Sequence, residues 1–230
     1  MGAVKGGMIM SFWQLFIDTL PGYKDAIIAT VQITALGILI GLIIGLFFAF
    51  LKVSKFKLLN IIADLYITII RGTPLVVQIF ILYFGLVHFV DLGRFLAGGI
   101  ALGVHNGAYI AEIFRGSIQS IDRGQSEAAR SLGMSYGLAM RRIVLPQAFR
   151  RAIPPLGNQF IIALKDSSLV AFIGFQELFN RAQRIQSATG LAMESYIIVG
   201  IYYLLLVIVL SFIVNRIERR LSKSERGLNT

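Results

Sequence analysis

The strongest constraint in the sequence is an apolar stretch from Ala26 to Leu51 that contains no charged residue. The hydrocarbon core of a bilayer is crossed by a helix of about 20 apolar residues, so this stretch is long enough to span a membrane. Lys24 and Asp25 stand immediately before it, and Lys52 stands immediately after it. The stretch therefore predicts a transmembrane helix with charged residues at both ends.

Four further apolar stretches follow, over about 58–90, 95–118, 156–174 and 196–214. The first of these is too long for one straight crossing and contains Gly72-Thr73-Pro74, where the proline removes a helical hydrogen bond. We interpret it as one span that is broken near its middle. Together with 26–51, the pattern predicts an all-α, polytopic membrane protein with five transmembrane helices.

The distribution of basic residues indicates the orientation of these spans. The chain has 22 Lys and Arg against 12 Asp and Glu. Most of the basic residues lie in three clusters, at 52–57, within 122–155 and after residue 214. Loops rich in Lys and Arg are cytoplasmic in membrane proteins, so we expect the N-terminus outside and the C-terminus inside. The formal charge of +10 then reflects topology and contact with anionic lipid, and no nucleic-acid partner is expected.

We expect a transmembrane domain over 26–220, preceded by an N-terminal segment over 1–25 and followed by a cytoplasmic tail over 221–230. Met8, Trp13 and other apolar residues of the N-terminal segment are spaced so that they can form one face of an interfacial helix. An ordinary lead-in that packs on the helix bundle explains the same pattern, and the sequence leaves both alternatives open.

Three glycines repeat at four-residue spacing in the first span: Gly37, Gly41 and Gly45. Little hydrophobic force drives helices together in lipid, and small residues promote association because they let two backbones approach closely. The repeat therefore predicts that one face of this span is buried against another helix, in the same chain or in a partner.

Residues 122–155 form a polar stretch that a simple channel would not need. A short helix is predicted from Ser126 to Leu132, with Gly133 as the residue that ends it. Ser135 is suited to cap a second helix that continues to Val144, before Pro146. The exposed apolar side chains of this two-helix element would be costly in water unless a partner protein covered them.

The residues of this element resemble a known signature. Glu127-Ala128-Ala129, then Gly133, then Ile143, Leu145 and Pro146 are similar to the cytoplasmic signature loop of permeases in bacterial ATP-binding cassette (ABC) importers. Further motifs resemble the polar amino acid branch of those permeases: Arg71-Gly72-Thr73-Pro74-Leu75, Gly107-Ala108-Tyr109, Glu112, Arg115-Gly116 and Lys165-Asp166-Ser167-Ser168-Leu169.

The resemblance implies a type I importer permease fold in the bacterial cytoplasmic membrane, with several partners. These are a second permease copy or a paralogue, two cytoplasmic ATPase subunits and an external amino-acid-binding protein. It also implies that residues 122–155 contain coupling helices that seat on the ATPase. The expected coupling residues are Glu127, Ala128, Ala129, Leu132, Gly133, Met134, Leu145 and Pro146.

The chain itself has no nucleotide-binding loop, because the pattern G-x-x-x-x-G-K-S/T is absent from the sequence. ATP and magnesium are therefore expected on the partner ATPase, and this chain is expected to hold no cofactor and no catalytic residue. Cysteine is absent and the two histidines are isolated in sequence, so no metal site is predicted.

Six charged residues fall within or near the predicted spans: Asp64, Arg71, Glu112, Arg115, Lys165 and Asp166. A charge near the bilayer centre costs roughly 2.5–3.5 kcal/mol even on the lenient insertion scale. The six sum to zero formal charge, so one explanation is a set of salt bridges that fixes the register of the helices. The other explanation is that some of them bind the transported substrate.

The second span carries the more detailed substrate hypothesis. Asp64, Thr68 and Arg71 share one helical stripe with Leu75 and Gln78. Thr73 followed by Pro74 is suited to start a new half-helix, which would place backbone N–H groups beside Arg71. We therefore expect a substrate carboxylate near Arg71, Gly72 and Thr73; the alternative is a proline kink in which Arg71 pairs with Asp64 or Glu112.

Acidic residues on the later spans complete the hypothesis. Glu112 with Arg115 on the third span, and Asp166 with Ser167 on the fourth, are candidates to hold the substrate's ammonium or a cationic side chain. Arginine, lysine or histidine is therefore the favoured cargo, with glutamine or another polar amino acid as the competitor. An ion-driven secondary transporter is the alternative of a different class, but five spans show no inverted repeat.

Overall fold

The computed structural model describes the backbone of residues 2–226 and the side chains of residues 12–219. The predicted tail at 221–230 and the side chain of Met8 lie outside the described side chains. All regular secondary structure in the described part is helical, which confirms the all-α class. The helices are α1 (Gly2–Lys52), α2 (Lys57–Gly72), α3 (Leu75–Phe80), α4 (Gly93–Gln119), α5 (Arg123–Ser131), α6 (Tyr136–Ala139), α7 (Leu145–Asp166), α8 (Leu178–Thr189) and α9 (Ala192–Arg226).

Three helical stretches in the described part are long and apolar enough to cross a membrane: 12–52, 136–173 and 192–219. A fourth candidate consists of α2 and α3, which meet at an angle of 103°. The helix α4 has 27 residues but is less apolar, because it carries His105, Asn106 and Glu112. The count of five transmembrane helices and the N-out orientation stay predictions.

The N-terminal segment is not a separate element, because α1 continues through it into the first span without interruption. Leu15 is buried, and the ring of Phe16 stacks on Tyr202 of α9 at 6.2 Å. Tyr23 stacks on the same ring at 4.4 Å, whereas Trp13 is exposed. The described side chains of this segment therefore pack on the bundle, and the boundary at residue 25 stays a prediction.

The glycine repeat of α1 faces a second glycine repeat on α4, formed by Gly99, Gly103 and Gly107. A Cβ atom added at Gly37 would lie 2.8 Å from the Cβ of Leu102, and one added at Gly103 would lie 2.5 Å from the Cβ of Ile40. Neither helix can carry a larger side chain here at this separation. The structure confirms the predicted burial of this face and places the partner helix in the same chain. We call this contact the α1–α4 interface.

Two polar contacts fix α4 to its other neighbours. The side chain of Gln159 on α7 donates to Oδ1 of Asn106 at 2.8 Å, and both side chains are buried. The hydroxyl of Tyr66 on α2 donates to the carbonyl of Val104 at 2.6 Å. Because helices of the same apolar surface can slide past one another, such hydrogen bonds specify one register.

Residues 123–144 form the predicted two-helix element, which we call the coupling element. The helix α5 starts three residues before the predicted Ser126, because the side chain of Asp122 accepts a hydrogen bond from the backbone N–H of Gly124 at 2.6 Å. Gly133 ends α5 with φ +83°, and Ser135 caps α6 by accepting from the backbone N–H of Leu138. These last two features follow the sequence prediction.

The helix α7 differs from the expectation of a break at Pro146 and a span that begins near residue 156. A π-helical turn over Met140–Val144 connects α6 directly to α7, and a 3-10 turn over Ser167–Ile173 extends its far end. Pro146 lies in the first turn of α7, directly after the π-helical turn, where the regular i→i−4 hydrogen-bond pattern is already interrupted. Pro154 and Pro155 lie inside the same helix.

Candidate substrate site

The break between α2 and α3 lies at Thr73-Pro74, as the sequence predicts, but Thr73 does not cap α3. Its hydroxyl donates back to the carbonyl of Ile69 at 2.8 Å, and Pro74 occupies the position before α3 with no side-chain cap. The prediction of Thr73 as a helix cap is therefore wrong. The hydroxyl of Thr73 therefore donates to a backbone carbonyl at the end of α2 and does not cap the start of α3.

Gln78 holds the two halves of the broken span together. Its side-chain nitrogen donates to the carbonyl of Ile70 at 2.8 Å and lies 2.9 Å from the hydroxyl of Thr73. Its side-chain oxygen lies 3.2 Å from Nδ1 of His105 on α4. Because Gln78 is buried, these contacts satisfy polar groups that a broken helix would otherwise leave unpaired.

Three of the predicted charges come together beside this break. Arg115 donates to both carboxylate oxygens of Glu112, at 2.9 and 2.8 Å, and to the side chain of Gln119 at 2.6 Å. Arg71 approaches the same carboxylate from α2, with Nη1 at 3.7 Å from Oε2 of Glu112. We call Arg71, Glu112 and Arg115 the inner charge cluster.

The two guanidinium groups of this cluster differ in how firmly they are held. Arg115 makes three hydrogen bonds, whereas Arg71 makes one long ion pair and lies over the ring of Tyr109, 5.2 Å from its centre. The side chain of Arg71 is 44% exposed, against 23% for Glu112. The cluster carries two positive charges and one negative charge, so Arg71 retains capacity for a second anion.

The other predicted substrate residues lie apart from this cluster or face elsewhere. Asp64 pairs with Lys52 across the turn between α1 and α2, and it makes no ion pair with Arg71. Thr68 and Gly72 are exposed. Asp166 is partly buried at the end of α7, and the buried hydroxyl of Ser167 donates to the carbonyl of Leu164 at 2.7 Å.

Most of the predicted coupling residues are exposed. Leu132 is 86% exposed, which is unusual for a leucine with no partner to cover it. Glu127, Ala128 and Gly133 are exposed, whereas Ala129 is buried and receives a hydrogen bond from the N–H of Met134 at 3.1 Å. At the start of α7, Pro146 is exposed and Leu145 is partly buried.

One buried acid was missed by the sequence analysis. The carboxylate of Glu177 accepts from the backbone N–H groups of Phe179 and Asn180 and from the hydroxyl of Tyr203 at 2.6 Å. Burial raises the pKa of this carboxyl to about 7, although all three hydrogen bonds oppose the shift. Its position just before a helix of mixed polarity was the available signal, because an acid there can cap the helix.

Comparison with known proteins decides the family. Residues 37–223 match the family described as "Binding-protein-dependent transport system inner membrane component". The chain belongs to this family. The resemblance inferred from the coupling element is thereby confirmed, and the protein is a membrane permease subunit.

Curated relatives cover almost the whole permease. The "Arginine transport system permease protein ArtQ" of Bacillus subtilis is 38% identical over 211 residues, which is 91% of this chain and 96% of the relative. The "Glutamine transport system permease protein GlnP" of Escherichia coli is 41% identical over 212 residues, covering 91% of this chain and 97% of the relative.

Solved structures show the same fold. One chain from the "Crystal structure of an amino acid ABC transporter with histidines" is 42% identical, with a TM-score of 0.81, and the match covers 92% of this permease and 96% of that chain. A methionine ABC transporter structure is 20% identical with a TM-score of 0.74, covering 86% of this chain and 94% of that one. The second likeness supports the fold alone.

Proposed function

We propose that this permease is the membrane-spanning subunit of an ATP-driven importer that moves a polar amino acid, preferentially a basic one, into the bacterial cytoplasm. The observation that carries the proposal is the inner charge cluster at the break in the second span. A charged group in a span is rare because of its insertion cost, and a partly unpaired one suggests a ligand. The relatives transport arginine and glutamine by name, which is consistent with this substrate class.

Arg71 is the residue that binds the substrate carboxylate in this proposal. A guanidinium presents paired N–H donors that match the two oxygens of a carboxylate, and Arg71 is the less engaged of the two arginines. Gly72 leaves open space beside it, because a Cβ atom added there would meet nothing within 4 Å. The helix α3 has only six residues, so the proposal rests on Arg71 and not on the helix end.

The acids that remain determine the preference among side chains. Glu112 contacts both arginines and is suited to bind the substrate's ammonium group, which would partly replace Arg71 as a partner of its carboxylate. Asp166, with Ser167 beside it, makes no ion pair with another described residue, so it supplies the negative charge for a basic side chain. Thr68 and Asp64 belong to the same proposed pathway nearer the start of α2.

Glutamine is the second candidate cargo, and one observation favours it. Arg115 already neutralises Glu112 through two hydrogen bonds, so the cluster has a net charge of +1 and would repel a second cationic group. A neutral amide side chain avoids that repulsion. Measuring uptake of arginine and glutamine in competition separates the two candidates.

In our proposal, transport by alternating access needs an ATPase, a second permease chain and an external binding protein. In our proposal, Leu132, Met134 and the surrounding coupling residues seat on an ATPase that binds ATP and magnesium. Two permease copies, or this chain with a paralogue, enclose the pathway, and an external binding protein delivers the amino acid. A rigid coupling element can transmit a rigid-body motion from the ATPase to the spans.

The test uses the purified transport complex reconstituted in vesicles with its binding protein. Arg71→Ala is expected to reduce both amino acid uptake and substrate-stimulated ATPase activity at least tenfold, because a charge-assisted bond to the carboxylate is lost. Lys57→Ala, an exposed change on the same helix, serves as the matched control and should leave both near wild type. Unchanged uptake in Arg71→Ala would refute the site.

A further control addresses the class of transporter. Uptake must require hydrolysable ATP and must continue when ion gradients are collapsed. If uptake instead follows an ion gradient without ATP, the chain is a secondary transporter and the proposal is wrong.

A further inference from the structure

A small polar cavity lies between α1 and α8, at the opposite end of the permease from the coupling element. The helix α7 leaves the coupling element at Leu145 and crosses the bundle, and α8 begins only after its far end. The cavity has a volume of about 130 Å³. Its lining consists of Gly22, Asp25, Ala26, Gln176, Asn180, Arg181 and Arg184.

Three charged side chains line this cavity: Asp25 and Arg184 are exposed, and Arg181 is partly buried. Within the described part of the chain, Asp25, Arg181 and Arg184 take part in none of the ion pairs. The Nε atom of Arg181 is fully buried and has no hydrogen-bond acceptor among the described residues. Two positive charges and one negative charge therefore line the same small cavity without pairing.

The position of Arg181 is fixed by packing. Its guanidinium lies against the backbone of Gly22, so that a Cβ atom added there would be 2.6 Å from Cζ and 2.8 Å from Nε. A side chain held in this way has little freedom to seek another acceptor. The Nε–H is enclosed by this packing and is not reached by a ligand in the cavity, so a ligand contacts Arg181 through its Nη groups.

We propose that this cavity is a second amino-acid site, which binds the α-carboxylate through Arg181 and Arg184 and the α-ammonium through Asp25. An amino acid carries both charges a few ångströms apart, and it completes both halves of the cavity at once. A simple anion would satisfy the arginines but would face the carboxylate of Asp25.

The location gives the site a role that rests on the proposed import function. With the coupling element on the ATPase side, this cavity lies at the end where substrate enters. An amino acid held there is positioned before it reaches the inner charge cluster. The side chain of the bound amino acid can extend out of the open end of the cavity. The site therefore binds the α-carboxylate and α-ammonium groups and accepts several polar amino acids.

The experiment measures equilibrium binding of radiolabelled L-arginine and L-glutamine to the purified transport complex in detergent, without the binding protein. Wild type should bind two molecules per permease chain. Arg181→Gln and Asp25→Asn should each weaken one of the two binding events at least tenfold, because one charge-assisted contact is lost. Lys24→Gln and Asp18→Asn make the same charge changes at neighbouring exposed positions and should bind like wild type.

Arg71→Ala in the same assay identifies the other event. If it removes one event and Arg181→Gln removes the other, both sites stand. If Arg71→Ala alone has no effect, the proposed function fails at the inner charge cluster. The cavity site at Asp25, Arg181 and Arg184, which we call the outer site, then still stands. If Arg181→Gln and Asp25→Asn leave both events unchanged, the outer site is overturned.

Competitors define the chemistry of the outer site. An amino acid amide, which lacks the carboxylate, and an N-acetylated amino acid, which lacks the ammonium, should both compete poorly for it. Equal competition by acetate or sulfate would show an anion site and overturn the proposal. Competition by phosphatidylethanolamine headgroups stronger than by amino acids would assign the cavity to lipid and would also overturn it.

Discussion

The α1–α4 interface and the coupling element use small and apolar residues in opposite ways. At the interface, Gly37 and Gly103 bring two backbones together, and the apolar side chains around them are covered within the chain. In the coupling element, Ala129 is buried but Leu132 is left 86% exposed. The first region is complete in a single permease, whereas our proposal has the second covered by a partner. Substitutions in the first should therefore change stability, and those in the second should change assembly and transport.

The largest effect is expected at the interface. Gly103→Val places side-chain atoms where Ile40 and the carbonyl of Gly37 already lie, so the helices must separate. Overpacking of this kind costs about 3 kcal/mol or somewhat more where backbone must shift. Gly116→Val, on the same helix with nothing within 4 Å, is the control and should have little effect. Thermal unfolding in detergent measures both, and equal melting temperatures would contradict the tight interface.

The next effect is expected in the coupling element. Leu132→Asp puts a charge on the most exposed leucine, and we expect ATP-driven uptake to fall tenfold to a hundredfold with the melting temperature unchanged. The reason is that the charge opposes burial against the ATPase, whereas exposed substitutions change folding stability by only about 0.5 kcal/mol. Gln125→Asp, an exposed change on α5, which Leu132 directly follows, should keep normal uptake. If Leu132→Asp lowered the melting temperature and left uptake unchanged, the assignment of this surface to ATPase contact would be wrong.

A smaller effect is expected from the hydrogen bond that fixes α4 to α7. Gln159→Leu leaves the buried side-chain oxygen of Asn106 without its donor, which should cost about 2 kcal/mol of unfolding free energy. Replacing both residues by leucine should recover part of that loss, because no polar group is then left unpaired. The measurement is chemical or thermal unfolding of the single and double variants. A double variant that is additive would show that the two side chains do not interact.

The smallest effect concerns pH and Glu177. The pKa of its carboxyl is about 7 in the folded permease, above the ordinary 4.5, so the folded state binds the proton more tightly than the unfolded state. The resulting stability is complete below about pH 4.5 and is lost as pH rises through 7. Between pH 6 and pH 8, the loss should be about 1 kcal/mol. Glu177→Gln should flatten this dependence, and an unchanged slope in that variant would assign it to other groups.

The sequence was sufficient where a local rule controls the structure. The break at Pro74, the end of α5 at Gly133 and the cap at Ser135 each depend on the conformational preference of one residue, and the structure has all three. The burial of the glycine repeat follows from the same kind of rule, because small residues in a span have few other uses.

The sequence was insufficient where contacts between distant residues decide. Thr73 turns away from α3 because Gln78 and the end of α2 offer it other partners. Asp64 meets Lys52 only once the turn between α1 and α2 has formed. Glu177 is buried because Tyr203, 26 residues later, closes over it. No periodic pattern in the sequence predicts these contacts.

The continuity of α6 and α7 has a mechanical consequence. From Tyr136 to Ile173 the chain forms one continuous helical rod of 38 residues, which includes a π-helical turn, two internal prolines and a final 3-10 turn. At the α-helical rise of about 1.5 Å per residue, its length along the chain is roughly 57 Å. A helix resists stretching and compression, so a displacement at one end must emerge at the other as a tilt or a shift. If an ATPase moves the coupling element, this rod acts as a lever whose far arm ends beside α8. The mouth of the cavity between α1 and α8 would then open and close in step with ATP hydrolysis.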